Sequence, residues 1–183
     1  MKIIFGLGNF GKQYENTRHN VGFMFFDYLF TNISYKNKFN ALYFETVVNN
    51  EKVILVKPAK YMNLSGEVVN DFINYYKVSL DDILVIHDDL DMDLGTFKLT
   101  YNHSGGGHNG ILNIYNNIKS NGYLRLKFGI SKNKNIDTKD YVLGKFSLEE
   151  NKILLASFEL VRDVIFDFVI LDRNKLINKY NSL

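Results

Sequence analysis

Residues 2–11, Lys2-Ile3-Ile4-Phe5-Gly6-Leu7-Gly8-Asn9-Phe10-Gly11, decide how the rest of the chain is read. The short apolar run 2–5, ended by glycine, predicts a buried strand at the middle of a sheet. Gly6, Gly8 and Gly11 formally match the dinucleotide fingerprint G-x-G-x-x-G. That fingerprint needs a helix opening within the glycine loop and an acid about 20 residues on, closing a second strand. Here the chain continues Lys12-Gln13-Tyr14-Glu15-Asn16-Thr17-Arg18, too polar and unpatterned for that helix, and Asp27 falls inside an aromatic helical run. The reading is therefore a central strand feeding a polar loop, with no nicotinamide or flavin and no other cofactor expected.

Outward from this strand, Val21, Phe25, Tyr28 and Leu29 recur at helical spacing. Residues 41–58 (ALYFETVVNNEKVILVKP) read as two strands joined at Asn49-Asn50, a pair that tolerates positive φ in a hairpin. A helix follows Ser65, with Val69, Phe72, Ile73 and Tyr76 as its core stripe. Segments 83–87, 96–101 and 123–130 read as strands and 109–119 as a helix. Ser147 and Glu150 form a capping box ahead of one long helix carrying Leu154, Phe158, Val161 and Ile165, and a last short helix follows Asp172. This order predicts an α/β fold: a single domain over 1–183, a mixed twisted sheet flanked by helices as an α/β/α sandwich. In such folds ligands collect at the carboxyl ends of strands, here after Phe5, Val56 and Ile86 and in the glycine-rich loop 104–110.

With 183 residues, 46% of them apolar and 23% charged, the chain has enough material for one well-filled core. No apolar run reaches the ~18 residues of a membrane span. The opening lacks a signal peptide's apolar centre, so a cytoplasmic location is expected. The absence of cysteine excludes disulfides, thiolate metal sites and a cysteine nucleophile. Net charge is only +2, yet residues 119–145 hold seven bases against two acids, and residues 81–93 hold six acids and no base. The basic stretch reads either as a solvated face or as a phosphate-tracking surface.

The strand ends carry the candidate chemistry. His19 stands where a helix begins, and His87-Asp88-Asp89-Leu90-Asp91 closes an apolar strand. One of those carboxylates could orient a histidine; alternatively, Asp88, Asp89 and Asp91 with His87 could hold a metal. Tyr61-Met62-Asn63-Leu64-Ser65-Gly66 marks a strand-to-helix junction, where an Asn or Ser serves as a cap. Ser104-Gly105-Gly106-Gly107-His108-Asn109-Gly110 also precedes a helix, and its glycines let backbone amides approach a ligand.

Taken together these segments resemble the bacterial-type peptidyl-tRNA hydrolases. GLGNFGKQYENTRHNVG is similar to that family's opening signature, KYMNLSG to its second, HDDLD to its third and SGGGHNG to its fourth, in the same order and rough spacing. YLRLKFGI and YVLGKF resemble two weaker segments, so the likeness spans about residues 2–146. Phe10 stands where the family usually has proline, and His103 where a small residue is common.

The resemblance implies hydrolysis of the ester between the peptide, or an N-blocked amino acid, and the 3′ end of tRNA. It implies His19 as general base on water, Asp88 as its hydrogen-bond acceptor and Asn109 as donor to the developing oxyanion. It further implies that Asn9, Tyr14, Met62 and Asn63 bind substrate, that His108 lines the RNA side of the cleft, and that Lys98 and Lys127 clamp a tRNA phosphate. Peptidyl-tRNA is the expected partner, with no membrane and no metal required. A monomer is expected, with residues 138–150 as a lid segment. The competing classes are an RNA-binding module using the basic stretch and exposed aromatics, and the metal-dependent hydrolase built on the acidic strand end.

Overall fold

Ile3, Ile4 and Phe5 have no exposed surface, and they form strand β1 (Lys2–Gly6) in the computed structural model, which describes residues 1–183. An unbroken apolar strand is stable only when covered on both faces. That cover comes from helices on either side of a seven-stranded sheet of order β2-β3-β4-β1-β5-β7-β6, with β1 at its centre. The other strands are β2 (Lys36–Lys38), β3 (Ala41–Val48), β4 (Glu51–Pro58), β5 (Ile83–Asp89), β6 (Phe97–Tyr101) and β7 (Leu124–Gly129). β1 pairs in parallel with both β4 and β5, and β5 with β7. The chain thus leaves β1 toward one flank and later returns to the other, so a crevice opens at β1's carboxyl end.

Helices α1 (Val21–Leu29), α4 (Thr138–Leu143), α5 (Leu148–Leu160), α6 (Val164–Ile170) and α7 (Arg173–Asn181) supply one face of the core. Helices α2 (Ser65–Tyr76) and α3 (Asn109–Ile118) cover the other. The expected α/β/α sandwich is what forms. The β3–β4 hairpin turns at Asn49 and Asn50 with φ of 48° and 62°, the left-handed pair a two-residue turn requires. Ser147 and Glu150 make the reciprocal capping box.

Three expectations need correction. The single long helix after Ser147 is two, because Val161 bonds back to Phe158 and Val164 to Val161 (3.2 and 2.9 Å), tightening the chain between α5 and α6. Leu154, Phe158, Val161 and Ile165 are all fully buried across this bend, so their helical spacing survives a kink that periodicity cannot see. β2 was not expected, having no apolar residue, and α4 was not expected as a helix within 138–150; its six residues are capped by Asp137.

Both sheet edges are blunted. β2 presents lysines, and at β6 the Asn181 amide accepts from the Leu99 N–H and donates to its carbonyl (2.8 and 2.9 Å), so α7 takes the place of a further strand. No helix is long and apolar enough to cross a membrane.

Candidate active site

The polar loop after β1 is no dinucleotide turn: a 3-10 turn at Lys12–Tyr14 follows the glycines, and α1 waits until Val21. Asn20 shapes this loop, accepting from the Asn9 N–H (2.8 Å) and donating to the Asn9 carbonyl (2.9 Å). The Asn9 side chain in turn accepts from the Met62 N–H (2.7 Å), tying the loop to the Met62–Leu64 turn ahead of α2. Its carbonyl oxygen is thereby engaged, and its NH2 group is the donor left for a ligand. Gly22 lets α1 begin hard against the strand ends, because a Cβ there would lie 2.4 Å from the Leu7 nitrogen and 2.6 Å from the Ile86 carbonyl oxygen. That close approach brings His19, in the 3-10 turn Arg18–Asn20, against the last residues of β5.

Asp88 is the centre of the arrangement, with a side chain only 2% exposed. His19 Nδ1 lies 2.9 Å from both its oxygens, and His108 Nε2 lies 2.9 Å from Oδ1. These contacts fix the protons. An ionised carboxylate only accepts, so His19 carries its hydrogen on Nδ1 and His108 on Nε2. His108 Nδ1 then accepts from the Ile111 N–H (3.3 Å), capping α3. His87 donates from Nδ1 to the Asp88 carbonyl (2.7 Å), and its buried Nε2 has no partner. Among the ring nitrogens that accept rather than donate, His19 Nε2 is the one whose histidine pairs directly with the carboxylate while that nitrogen stays unengaged.

The electrostatics follow from burial and these partners. Burial would lower the pKa of His19, but the charge of Asp88 and its hydrogen bond outweigh it and hold the imidazole above its ordinary value. Burial pushes Asp88 upward, and the two histidines overcome this, leaving the carboxylate well below its usual range. Burial, then repulsion from the His108 ring and the Arg125 guanidinium, drives His87 well below the ordinary imidazole value and keeps it neutral.

The glycine loop runs into α3 through Gly106 and Gly107, whose φ values of 56° and 80° suit glycine. Asn109 is the first residue of α3 and is exposed to the cleft. Beneath the loop Arg125, 1% exposed, donates to the carbonyls of Ser104 (3.1 Å) and His103. The far wall is α4, fixed through the residue next to His19. Arg18 holds Glu150 with two hydrogen bonds (2.8 and 2.9 Å), lies over the Tyr141 ring, and bonds Gly144 through its backbone (3.0 Å).

All ten expected site residues line one cleft of about 890 Å³: Asn9, Tyr14, His19, Met62, Asn63, Asp88, Lys98, His108, Asn109 and Lys127. Tyr14 packs edge-on against Tyr61 (6.3 Å), Met62 is buried and Asn63 exposed. Lys98 and Lys127 stand directly opposite each other on β6 and β7. The segregation of charge along the chain is reduced in space, since β5 and β7 are neighbours: Lys127 pairs with Asp89, and Lys132 with Asp91 (2.8 Å). Those pairings also divide the acidic strand end, and His87 points to the sheet face opposite Asp88. Asp88, Asp89, Asp91 and His87 therefore form no common ligand set. The groups that do converge are His19, Asp88 and His108, with candidate ligand atoms within 4.8 Å of one another. Binding an ion there would require both facing nitrogens to lose their hydrogens, and would leave His108 Nδ1–H against the Ile111 N–H.

The sequence reading does not mark Arg18 or Arg125 as site residues, and it names His87 only as a metal ligand, not as a neighbour of His108. A signal for Arg125 existed: Leu124, Leu126 and Phe128 alternate onto the apolar face, placing Arg125 and Lys127 together on the other. Arg18 depends on contacts more than 120 residues away, and nothing local marks it.

Comparison with known proteins gives the same direction as the site. A family model described as peptidyl-tRNA hydrolase matches residues 3–183. A peptidyl-tRNA hydrolase of Mycoplasma mycoides is 44% identical over 189 residues, covering 99% of this chain and 100% of that protein. One from Clostridium botulinum is 42% identical over 185 residues, covering 100% and 96%. The crystal structure of the peptidyl-tRNA hydrolase from Acinetobacter baumannii superposes with a TM-score of 0.91 at 31% identity, covering 100% of this chain and 95% of that one. With the match running through every strand of the sheet and every wall of the cleft, this chain belongs to the peptidyl-tRNA hydrolase family.

Proposed function

We propose that this chain hydrolyses peptidyl-tRNA at the ester joining the peptide, or an N-blocked amino acid, to the terminal ribose, and so returns free tRNA. The observation that carries this reading is His19, held through Nδ1 by Asp88 with Nε2 unengaged in a cleft lined by amide side chains. His19 Nε2 takes a proton from water as the water oxygen attacks the ester carbonyl. The carbonyl electrons move onto oxygen, where the Asn109 amide donates to the developing charge. Collapse of this intermediate breaks the bond to the ribose oxygen, which recovers the proton from the imidazolium. Asp88 stabilises that imidazolium and fixes the tautomer without itself taking the proton.

Asn9 and Asn63 hold the ester end and the peptide backbone, Tyr14 and Met62 add contact area, and His108 lines the RNA side. Backbone-directed amides suit a substrate whose peptide varies. Lys98 and Lys127 grip a phosphate of the tRNA as point charges. Residues 138–150 serve as a lid: α4 forms its cleft side, and the Arg18 contacts anchor its far end. The enzyme acts in the cytoplasm as a monomer, with no metal or other cofactor in the reaction. The test is cleavage of an N-acetyl-aminoacyl-tRNA beside the same aminoacyl-tRNA with a free amine. Strong preference for the blocked substrate is expected; equal cleavage, or none of either, contradicts the reading.

A further inference from the structure

His108 does more in this geometry than line a wall. Its two nitrogens are both committed, Nε2 donating to Asp88 Oδ1 (2.9 Å) and Nδ1 accepting from the Ile111 N–H (3.3 Å). Its ring centroid is 4.9 Å from that of His19 and 4.7 Å from that of His87. One buried carboxylate therefore serves two imidazoles, one from the turn before α1 and one from the start of α3. A carboxylate that already accepts a second N–H has part of its charge neutralised, and its pull on the first imidazole is weaker than it would be alone.

We propose that His108 is a positioning residue for the base: its N–H on Asp88 divides the carboxylate between two imidazoles and limits how strongly Asp88 holds the proton gained by His19. This rests on the reading of His19 as the base. Too strong a hold would keep His19 protonated at neutral pH and unable to accept a proton from water; His108 prevents this. The charged and titratable groups around the network are few. Asp88 and His87 come from β5, His19 from the turn before α1, His108 from the loop into α3, and Arg125 from β7. His87 spends its one N–H on the Asp88 backbone carbonyl and cannot take over the role of His108.

Two variants separate this role from capping and from surface lining. In His108→Asn the side chain still caps α3 through its oxygen, but it is too short to reach Asp88. In His108→Gln the terminal NH2 reaches about as far as the imidazole Nε2 and restores a non-titrating donor. The His19 ring is titrated by NMR in the free protein, and kcat/KM is followed against pH with an N-acetyl-aminoacyl-tRNA. For His108→Asn we expect the His19 midpoint to rise on the order of half a unit, with the acid limb of kcat/KM following it. His108→Gln should return both toward wild type. A His19 midpoint in His108→Asn that stays in place or falls overturns the proposal, as does a His108→Gln profile that copies His108→Asn. If the ring midpoint rises while the acid limb does not, the coupling stands and the assignment of His19 as the base fails.

Discussion

His19 Nδ1 stands 2.9 Å from both oxygens of Asp88, although 69 positions separate the two residues. The contact joins the end of the loop from β1 to the end of β5, strands that are parallel neighbours at the centre of the sheet. Its geometry fixes which nitrogen of His19 is free. Its charge also sets the direction of the pH dependence.

Asp88→Asn removes the charge that outweighs burial at His19. In the wild type the imidazole lies above its ordinary value; without the carboxylate burial acts unopposed and the value falls. The acid limb of kcat/KM should therefore move to lower pH, while the plateau drops by about 10²-fold or more because the proton is no longer fixed on Nδ1. An unchanged acid limb would mean that another carboxylate orients the base. Asp91→Asn, at an exposed residue paired with Lys132, should leave the profile near wild type.

Grip on the tRNA and the chemical step should separate by substrate length. Lys98→Ala and Lys127→Ala should raise KM for full-length substrate and lower its salt dependence by about one counterion each. A minimal substrate ending at the terminal adenosine cannot reach a distant phosphate clamp, so both variants should cleave it as wild type does. Asn109→Ala should lose about 10²–10³-fold in kcat on both substrates, since the oxyanion forms in each. Equal defects of the lysine variants on the minimal substrate would remove the clamp.

Gly22→Ala tests the packing that delivers His19 to Asp88. Its Cβ would meet backbone atoms at 2.4 and 2.6 Å, and backbone at two strand ends cannot yield as a flexible side chain can. Destabilisation of about 1–3 kcal/mol is expected, read as a lower midpoint in thermal or urea unfolding, with activity per folded molecule also reduced. A variant as stable and active as wild type would show that α1 need not approach so closely.

Much of this was legible in the sequence because the signals are local. The apolar run 2–5, the Asn49-Asn50 turn and the Ser147–Glu150 box each fix their structure within a few residues. The cleft was legible because strand ends and glycine-rich junctions are where such folds collect ligands. What escaped depends on distant partners. β2 has no apolar pattern of its own and forms because β3 offers it an edge. The bend at Val161 keeps the helical spacing of its buried residues. The sharing of Asp88 by His108 arises only when α3 is laid beside β5, and Arg18 finds Glu150 only after α5 has docked.

The central claim is that His19 removes a proton from the water that cleaves the peptidyl ester. The most direct measurement is single-turnover hydrolysis of N-acetyl-aminoacyl-tRNA by wild type and His19→Ala, with binding of the same substrate measured in parallel. Loss of about 10²–10⁴-fold in rate with binding and folding retained is the predicted result. Near-normal hydrolysis by a folded His19→Ala protein would contradict the account.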